Sequence, residues 1–193
     1  MSPDDASLAT LLWQLLGWVI LPAWLLAGVG DYIAHARTDI AHTSGVTESA
    51  LHLVQTAEIG LPLLALLFLE VNALVLAVLA TGVLAHSVTS WADLRWTTPR
   101  RHIPVGEQLV HGVLFVLPFV ALALVVVLHW PAWQALLDPA SAPAGNWRLQ
   151  PREPRFDAWI IVSVLGAGAV LGVVPALVEF ARTVAARRDG RTR

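Results

Sequence analysis

The sequence predicts an all-α protein, a polytopic bundle of five transmembrane helices, on three observations. The 193 residues are 56% hydrophobic and only 13% charged, with a mean hydropathy of +0.66, whereas soluble domains carry about 25% charged residues. Five apolar segments each reach the roughly 20 residues that a membrane-spanning helix needs. The arginines, which are the only basic residues besides histidine, collect after alternate segments. We therefore expect a single integral membrane domain over residues 1–193.

The predicted spans follow one another through short connections, apart from one long loop. They cover residues 8–29, 46–69, 71–91, 104–128 and 158–180, with an outer loop over 129–157 and a basic tail over 181–193. The second and third spans join at Glu70–Val71–Asn72, so we expect an antiparallel hairpin. Pro62, Pro118 and Pro175 lie inside spans, where proline kinks helices. The outer loop shows no helical or strand period, so we expect an irregular cap.

Arginine placement predicts the orientation through the positive-inside rule. Nine arginines follow the first, third and fifth spans, against three in the outer loop, Arg148, Arg152 and Arg155. We expect the N-terminus outside and the C-terminus in the cytoplasm, in a bacterial inner membrane. The N-terminal segment carries Asp4 and Asp5 and no basic residue, so the first apolar run is expected to be a retained span rather than a signal peptide.

Several classes of site are excluded or disfavoured by composition. The chain has no cysteine, which excludes disulfides, thiolate metal ligands and iron–sulfur clusters. A formal net charge of −2 and the absence of a basic stripe outside the connections and tail argue against nucleic-acid binding. Gly166–Ala167–Gly168 follows no predicted strand, so it indicates helix packing rather than a dinucleotide site.

Histidines and carboxylates recur together on the predicted cytoplasmic side. Six of the seven histidines fall there, and four of them share a helical face with an acid four or seven residues away. The pairs are Asp31 with His35, Glu48 with His52, His86 with Asp93, and Glu107 with His111. Ionisable residues in membrane helices are costly and usually functional, so the four pairs predict one shared site.

Carboxylates and imidazoles on facing helices are the donors that build two-metal centres in helical bundles. The expected ligands are His35, Glu48, His52, His86, Glu107 and His111. Asp31, Asp93 and His42 are expected as further ligands or as partners that orient an imidazole. Two divalent cations are expected, with iron favoured and zinc or manganese as alternatives. Tyr32 and Glu58 are candidates for moving a proton.

These pairs resemble the ligand type of ferritin-like di-iron proteins, although the spacing here is Glu-x-x-x-His rather than Glu-x-x-His. The chain also resembles membrane desaturases and hydroxylases, which cluster histidines at the cytosolic face of membrane helices. It departs from them in lacking a His-x-x-His-His box. The first resemblance is one of ligand type, and the second is one of ligand type and membrane side. Oxidation at a di-iron centre is the favoured expectation.

The leading functional prediction is a membrane metalloenzyme, an oxidoreductase acting on a lipid-like or quinone-like substrate. The alternatives are a metal-ion transporter or sensor, a metal-dependent lipid hydrolase, a haem-binding electron carrier, and a structural subunit with a buried polar network. Gly168 and Gly172 have the small-xxx-small spacing that permits oligomerisation.

Individual residues also have simpler expected roles. Glu48 and Glu107 lie near helix N-termini, where the helix dipole favours a carboxylate. Asp93 is expected to pair with a nearby arginine, namely Arg95, Arg100 or Arg101. Glu179 and Arg182, three residues apart, are expected to form a local ion pair.

Overall fold

The computed structural model describes residues 3–140 and 142–190 and is 83% helical, with no strand among those residues. Within that range the α-helices are α1 (Pro3–Leu15), α2 (Leu21–Thr38), α3 (Gly45–Phe68), α4 (Ala73–Thr97), α5 (Val105–Leu128), α6 (Trp130–Leu137), α7 (Ala158–Ala167) and α8 (Val174–Asp189). π-helical turns join α1 to α2 at Leu16–Ile20 and α7 to α8 at Gly168–Val173. Short 3-10 turns lie at Ile40–His42 and Ala144–Trp147.

Five helical segments are long and apolar enough to cross a membrane, which confirms the predicted five-span, all-α architecture. They are Ser7–Thr38, Gly45–Phe68, Ala73–Thr97, Val105–Leu128 and Ala158–Asp189. The first and last each combine two α-helices across a π-helical turn. Helices of this length and hydropathy indicate an integral membrane protein.

Three helices continue beyond the predicted spans at one end of the bundle. The first reaches Thr38 rather than residue 29, the third reaches Thr97 rather than 91, and the last reaches Asp189 rather than 180. The prediction stopped where apolar residues give way to polar ones. The helices continue because several of those polar side chains are buried and paired with one another, as described below.

Large apolar side chains cover the outside of the bundle. Trp18, Val88 and Val162 are 68%, 67% and 69% exposed, and no residue of α7 is buried. Soluble monomers rarely expose large contiguous apolar patches. This surface therefore fits contact with the acyl chains of a bilayer.

The α3–α4 hairpin packs closest where Gly82 faces Pro62. A Cβ added at Gly82 would lie 2.6 Å from the carbonyl oxygen of Glu58 and would also overlap the Pro62 ring. Glycine at position 82 is thus required by the close approach of the two helices.

The turn before α4 is capped by Asn72, whose side chain accepts a hydrogen bond from the backbone N–H of Val75 at 3.1 Å.

The apolar core lies where α3 ends and α4 begins. Val75 and Leu76 are fully buried, and with Leu79 they cluster with Val125 of α5 and Ala132 of α6. The expectation of an irregular loop over 129–157 was therefore wrong at its start, where α6 covers this core. At eight residues, α6 is too short for its period to stand out in the sequence.

Another part of the same loop closes this end of the bundle. The Arg152 backbone N–H donates to the Phe68 carbonyl at 2.8 Å, and the Glu70 N–H donates to the Gln150 carbonyl at 2.9 Å. The loop therefore satisfies backbone groups that the end of α3 leaves unpaired.

Candidate metal centre

Five helix ends meet at the end of the bundle opposite the apolar core, which we call the polar end. There α2, α4 and α8 end, while α3 and α5 begin. Together with one loop residue, these ends supply a set of side chains that we call the polar cluster. It consists of Asp31, His35, Glu48, His52, Asp93, Arg101, Glu107, His111 and Glu179.

Glu179 of α8 holds two imidazoles at once. Its two carboxylate oxygens lie 2.8 Å from Nδ1 of His35 and 2.8 Å from Nδ1 of His52. Because an ionised carboxylate only accepts, both rings donate from Nδ1. The rings stack with centroids 4.6 Å apart and an interplanar angle of 6°. Each imidazole therefore keeps Nε2 available for another partner.

The Nε2 atom of His35 faces three carboxylates. It lies 3.3 Å from Glu107, 3.4 Å from Asp31 and 3.7 Å from Glu48, and it forms no hydrogen bond with any described residue. The His35 side chain is only 1% exposed. A buried ring nitrogen without a hydrogen bond is costly, so this position favours a proton or a cation that His35 shares with the carboxylates.

His111 and Asp31 extend the same group of side chains. His111 Nε2 lies 2.8 Å from Oδ1 of Asp31 and 3.9 Å from Glu107, yet Oδ1 has no hydrogen bond of acceptable geometry within the described chain. Candidate ligand atoms of Asp31, His35, Glu107 and His111 all lie within 4.8 Å of one another.

A second group shares His35 and lies on the α3 side. Candidate ligand atoms of His35, Glu48 and His52 lie within 4.8 Å of one another. His52 Nε2 is 3.5 Å from Asp93. The expectation that Asp93 pairs with an arginine was wrong, because α4 turns this carboxylate inward toward His52.

Arg101 closes the cluster from the connection between α4 and α5. Its guanidinium donates to Glu48 at 2.5 Å and 3.3 Å and to both oxygens of Glu107, one of them at 3.1 Å. The Ser44 hydroxyl also donates to Glu48. Burial by itself would lower the pKa of Arg101, but the hydrogen bonds and charges of Glu107 and Glu48 outweigh it and raise that pKa. Arg101 is therefore a permanent cation between two buried carboxylates.

The cluster carries far more acid than fixed base. Asp31, Glu48, Asp93, Glu107 and Glu179 are all at most 9% exposed as residues, while Arg101 is the arginine ion-paired with them among the described residues. With neutral imidazoles, the five carboxylates and one guanidinium leave four negative charges uncompensated. Buried charge without compensation is strongly unfavourable, so the set needs further positive charge, which protonated imidazoles or bound cations would supply.

The structure brings together most of the expected site residues. His35, Glu48, His52, Glu107 and His111 meet with Asp31 and Asp93 in the polar cluster. Whether any of them binds a metal stays a prediction.

His86 is the expected ligand that the structure does not bring to the cluster. It is 3% exposed, and neither ring nitrogen has a hydrogen-bond partner among the described residues. It precedes Asp93 by seven residues, which is about 10 Å along a helix. This spacing predicts that the two residues share a face of the helix, but they lie two helical turns apart along α4.

The remaining candidates also lie apart from the cluster contacts. His42 is on the connection after α2, with a side chain 70% exposed, 2.8 Å from Asp39. Glu58 accepts a hydrogen bond from the Thr89 hydroxyl at 2.7 Å. Tyr32 lines a small cavity behind the cluster.

Two cavities adjoin the polar cluster. The larger, about 1010 Å³, lies beside α4 and α5 and is lined by Asp31, His52, Asp93 and His111 among others. The smaller, about 80 Å³, lies on the bilayer side, and His86 lines it. The cluster is thus accessible from the larger cavity while Arg101 covers it from the connection.

Sequence reasoning missed two cluster residues. Glu179 was expected to pair with Arg182, which was wrong, because α8 directs it to His35 and His52. An acid inside an otherwise apolar span is itself a signal of a buried role. Arg101 carried no signal that separates it from Arg100, since both follow α4 in a basic connection.

Comparisons with protein-family models, with curated proteins and with solved structures found no match for this chain.

Proposed function

We propose that the polar cluster binds two divalent metal ions, with iron favoured, in a membrane-embedded oxidoreductase acting on a lipid-like or quinone-like substrate. One cation would be held by Asp31, His35, Glu107 and His111, and the other by Glu48, His52 and Asp93. The observation that carries the proposal is the buried Nε2 of His35, which faces three carboxylates without a hydrogen bond.

The spacing of the donor atoms supports a shared cation. Ligands about 2.1 Å from one ion lie about 3.0–3.4 Å apart at octahedral or tetrahedral angles. The distances from His35 Nε2 to Glu107 and to Asp31 are 3.3 and 3.4 Å, within that range. With neutral imidazoles, two divalent cations would also balance the four negative charges that Arg101 leaves uncompensated.

Glu179 supports the same proposal as a positioning residue. Imidazoles that ligate a metal almost always donate their other N–H to a carboxylate, carbonyl or water. His35 and His52 both donate from Nδ1 to Glu179 at 2.8 Å, which leaves Nε2 of each ring directed to acids.

Iron bound here would supply redox chemistry toward dioxygen, and zinc would instead suit hydrolysis of a lipid ester. The chain's own contribution is to orient the imidazoles through Glu179 and to exclude water through Arg101. The larger cavity would receive the substrate against Asp31, His52 and His111. Measured metal identity therefore separates the oxidoreductase from the hydrolase.

Transport of a metal ion is less well supported than catalysis. A transporter needs a polar path through the bilayer. Beyond Glu58 and His86, however, α4 enters the packed apolar core of Val75, Leu76 and Leu79. The polar residues therefore form a dead end rather than a path.

The proposal is tested by the metal content of the detergent-purified chain. Mass spectrometric elemental analysis is expected to find about two divalent ions per chain, as in other two-metal bundles. His35→Ala should remove at least half of this metal. His86→Ala is the matched control, since it removes another buried span histidine that lies outside the cluster, and it should retain the wild-type content.

Thermal melting of all three proteins checks that they remain folded. A wild-type chain without metal after purification with added iron, manganese or zinc contradicts the proposal. Equal metal content in His35→Ala and His86→Ala contradicts it as well.

A further inference from the structure

The larger cavity lies between α4 and α5. Its outer wall includes Leu94 and Phe115, which lie within membrane-spanning helices and are 44% and 41% exposed. Gly112 also lines it, and a Cβ there would meet nothing within 4 Å. These side chains make one side of the cavity apolar, and because they lie in membrane-spanning helices, a molecule dissolved in the bilayer could approach the cavity from that side.

The floor of this cavity is polar. Asp31, His52, Asp93 and His111 of the polar cluster line it together with Gln55. One cavity thus joins an apolar mouth to the candidate metal ligands. An occupant that satisfies both ends must itself be amphiphilic.

The rim of the cavity at the bundle end carries positive charge that the cluster does not use. Arg100 stacks its guanidinium 3.4 Å from the centroid of the Trp96 ring and donates to the Trp96 carbonyl at 2.6 Å. Its other N–H groups have no partner in the described part of the chain. His102 is exposed and lies two residues further on. Arg101 between them is committed to Glu48 and Glu107.

Building on the proposed function, we infer that the substrate is an acidic amphiphile of the membrane. Its hydrocarbon chain lies between α4 and α5 against Leu94 and Phe115. Its anionic headgroup is held by Arg100 and His102, and the segment between head and chain lies over the cluster floor. Basic residues beside a bilayer attract acidic headgroups, and neutral sterols or quinones leave these two side chains without a partner.

The probe for this inference is dihexanoyl phosphatidylglycerol, with dihexanoyl phosphatidylcholine as the zwitterionic lipid of equal chain length. Native mass spectrometry of the full chain is expected to show tighter retention of the acidic lipid, by about fivefold, the contribution of one arginine. Arg100→Gln combined with His102→Gln should remove this preference. Arg95→Gln, which replaces an exposed arginine five residues earlier and outside the cavity, should keep it.

A second pair of variants tests the cavity itself. Gly112→Phe places a ring in open space inside the cavity and should weaken retention of both lipids by about tenfold. Gly60→Phe is the matched control, because position 60 is also open but lies on α3 away from the cavity, and it should bind like wild type. Equal retention by Gly112→Phe and wild type overturns the inference.

Free glycerol phosphate tests whether the site binds a lipid headgroup or a soluble phosphate. It should not compete with the lipid, since it lacks the chain that the apolar mouth holds. Full competition would show a site for soluble phosphate and overturn the inference.

Metal analysis of the same samples separates the two proposals. Metal without lipid preference overturns only this inference, whereas lipid preference without metal overturns the proposed function and leaves the lipid site standing.

Discussion

At the scale of single residues, Glu179 determines what two histidines can do. By accepting from Nδ1 of both His35 and His52, it fixes their tautomers and directs both Nε2 atoms away from α8. A carboxylate buried at 5% exposure is tolerated because each of its oxygens has a charged or polar partner. The residue thus orients the site without facing the larger cavity.

Buried ionisable groups stabilise a fold only when all of them are satisfied. In the polar cluster, Arg101 satisfies Glu48 and Glu107, whereas Nε2 of His35 has no hydrogen bond among the described residues. This uneven satisfaction is typical of a binding site rather than of a network that exists for stability.

His129 is expected to make the stability of the fold depend on pH, independently of the polar cluster. It lies just beyond α5, where burial and, to a smaller extent, the charge of Arg152 lower its pKa from 6.5 to about 4. Between these values the unfolded chain binds a proton that the folded chain does not, so stability is lost as pH falls through this window. We expect the melting temperature in detergent to fall further between about pH 7 and about pH 4.5 in wild type than in His129→Gln.

The control for this prediction is His42→Gln, which removes an imidazole that is 70% exposed and should leave the wild-type acid sensitivity intact. Identical pH profiles for wild type and His129→Gln would mean that His129 is protonated alike in the folded and unfolded chain.

At the scale of elements, the π-helical turn in the last span changes which face of the helix is inside. Such a turn inserts about one extra residue, which rotates the following residues by about 100°. No residue of α7 before it is buried, whereas α8 after it buries Glu179 and Thr183. Thr183 lies 2.7 Å from Ser49 of α3 through their hydroxyls. The turn therefore lets a lipid-facing segment continue into one that reaches the cluster.

The same turn bears on the predicted packing of Gly168 and Gly172. A Cβ at Gly172 would lie 3.9 Å from Leu25 of α2, whereas one at Gly168 would meet nothing within 4 Å. Gly172 thus packs within the chain, and oligomerisation through this pair stays a prediction.

The close contact between α3 and α4 at Gly82 gives a testable prediction. Gly82→Ala should destabilise the chain by about 1–3 kcal/mol, the usual cost of overpacking, because its Cβ would overlap Pro62 and the Glu58 carbonyl. Thermal and denaturant unfolding in a defined detergent measures the change. A stability equal to wild type would show that the helices separate there without cost.

Gly60→Ala is the matched control for Gly82→Ala. Position 60 is on the same hairpin, but an added Cβ meets nothing within 4 Å. Alanine favours a helix over glycine by about 1 kcal/mol, so this variant should be as stable as wild type or more stable.

At the scale of the whole molecule, positive charge is concentrated at the polar end. Within the described residues, Arg37, Arg95, Arg100, Arg101, Arg182, Arg187 and Arg188 lie there, against Arg148, Arg152 and Arg155 at the other end. The positive-inside rule then predicts that the polar end is cytoplasmic.

The absence of cysteine allows a direct test of this orientation. Gly145→Cys and Gly190→Cys each place one thiol at an exposed position, the first at the apolar end and the second at the polar end. In spheroplasts, a membrane-impermeant maleimide should label position 145 and should label position 190 only after lysis. The reverse pattern would invert the orientation, and the cysteine-free wild type shows the background.

The number of spans, the hairpin and the end at which acids and histidines gather all follow from the sequence. Hydropathy is read from a local window of about 20 residues. Because successive helices run in opposite directions, every second connection lies at the same end of the bundle. For the same reason, the sequence alone predicts that Asp31, Glu48, Glu107 and their histidines lie at the polar end.

Only the tertiary structure decided which side chains meet. The tilt and rotation of each helix, set by contacts such as Pro62 with Gly82, determine that Asp93 reaches His52 while His86 lies two turns deeper. They also bring Glu179 to two histidines more than 120 residues earlier in the chain. Arg101 and Arg100 have the same local sequence character. They differ because Arg101 points between two buried carboxylates, whereas Arg100 lies on the half-buried ring of Trp96.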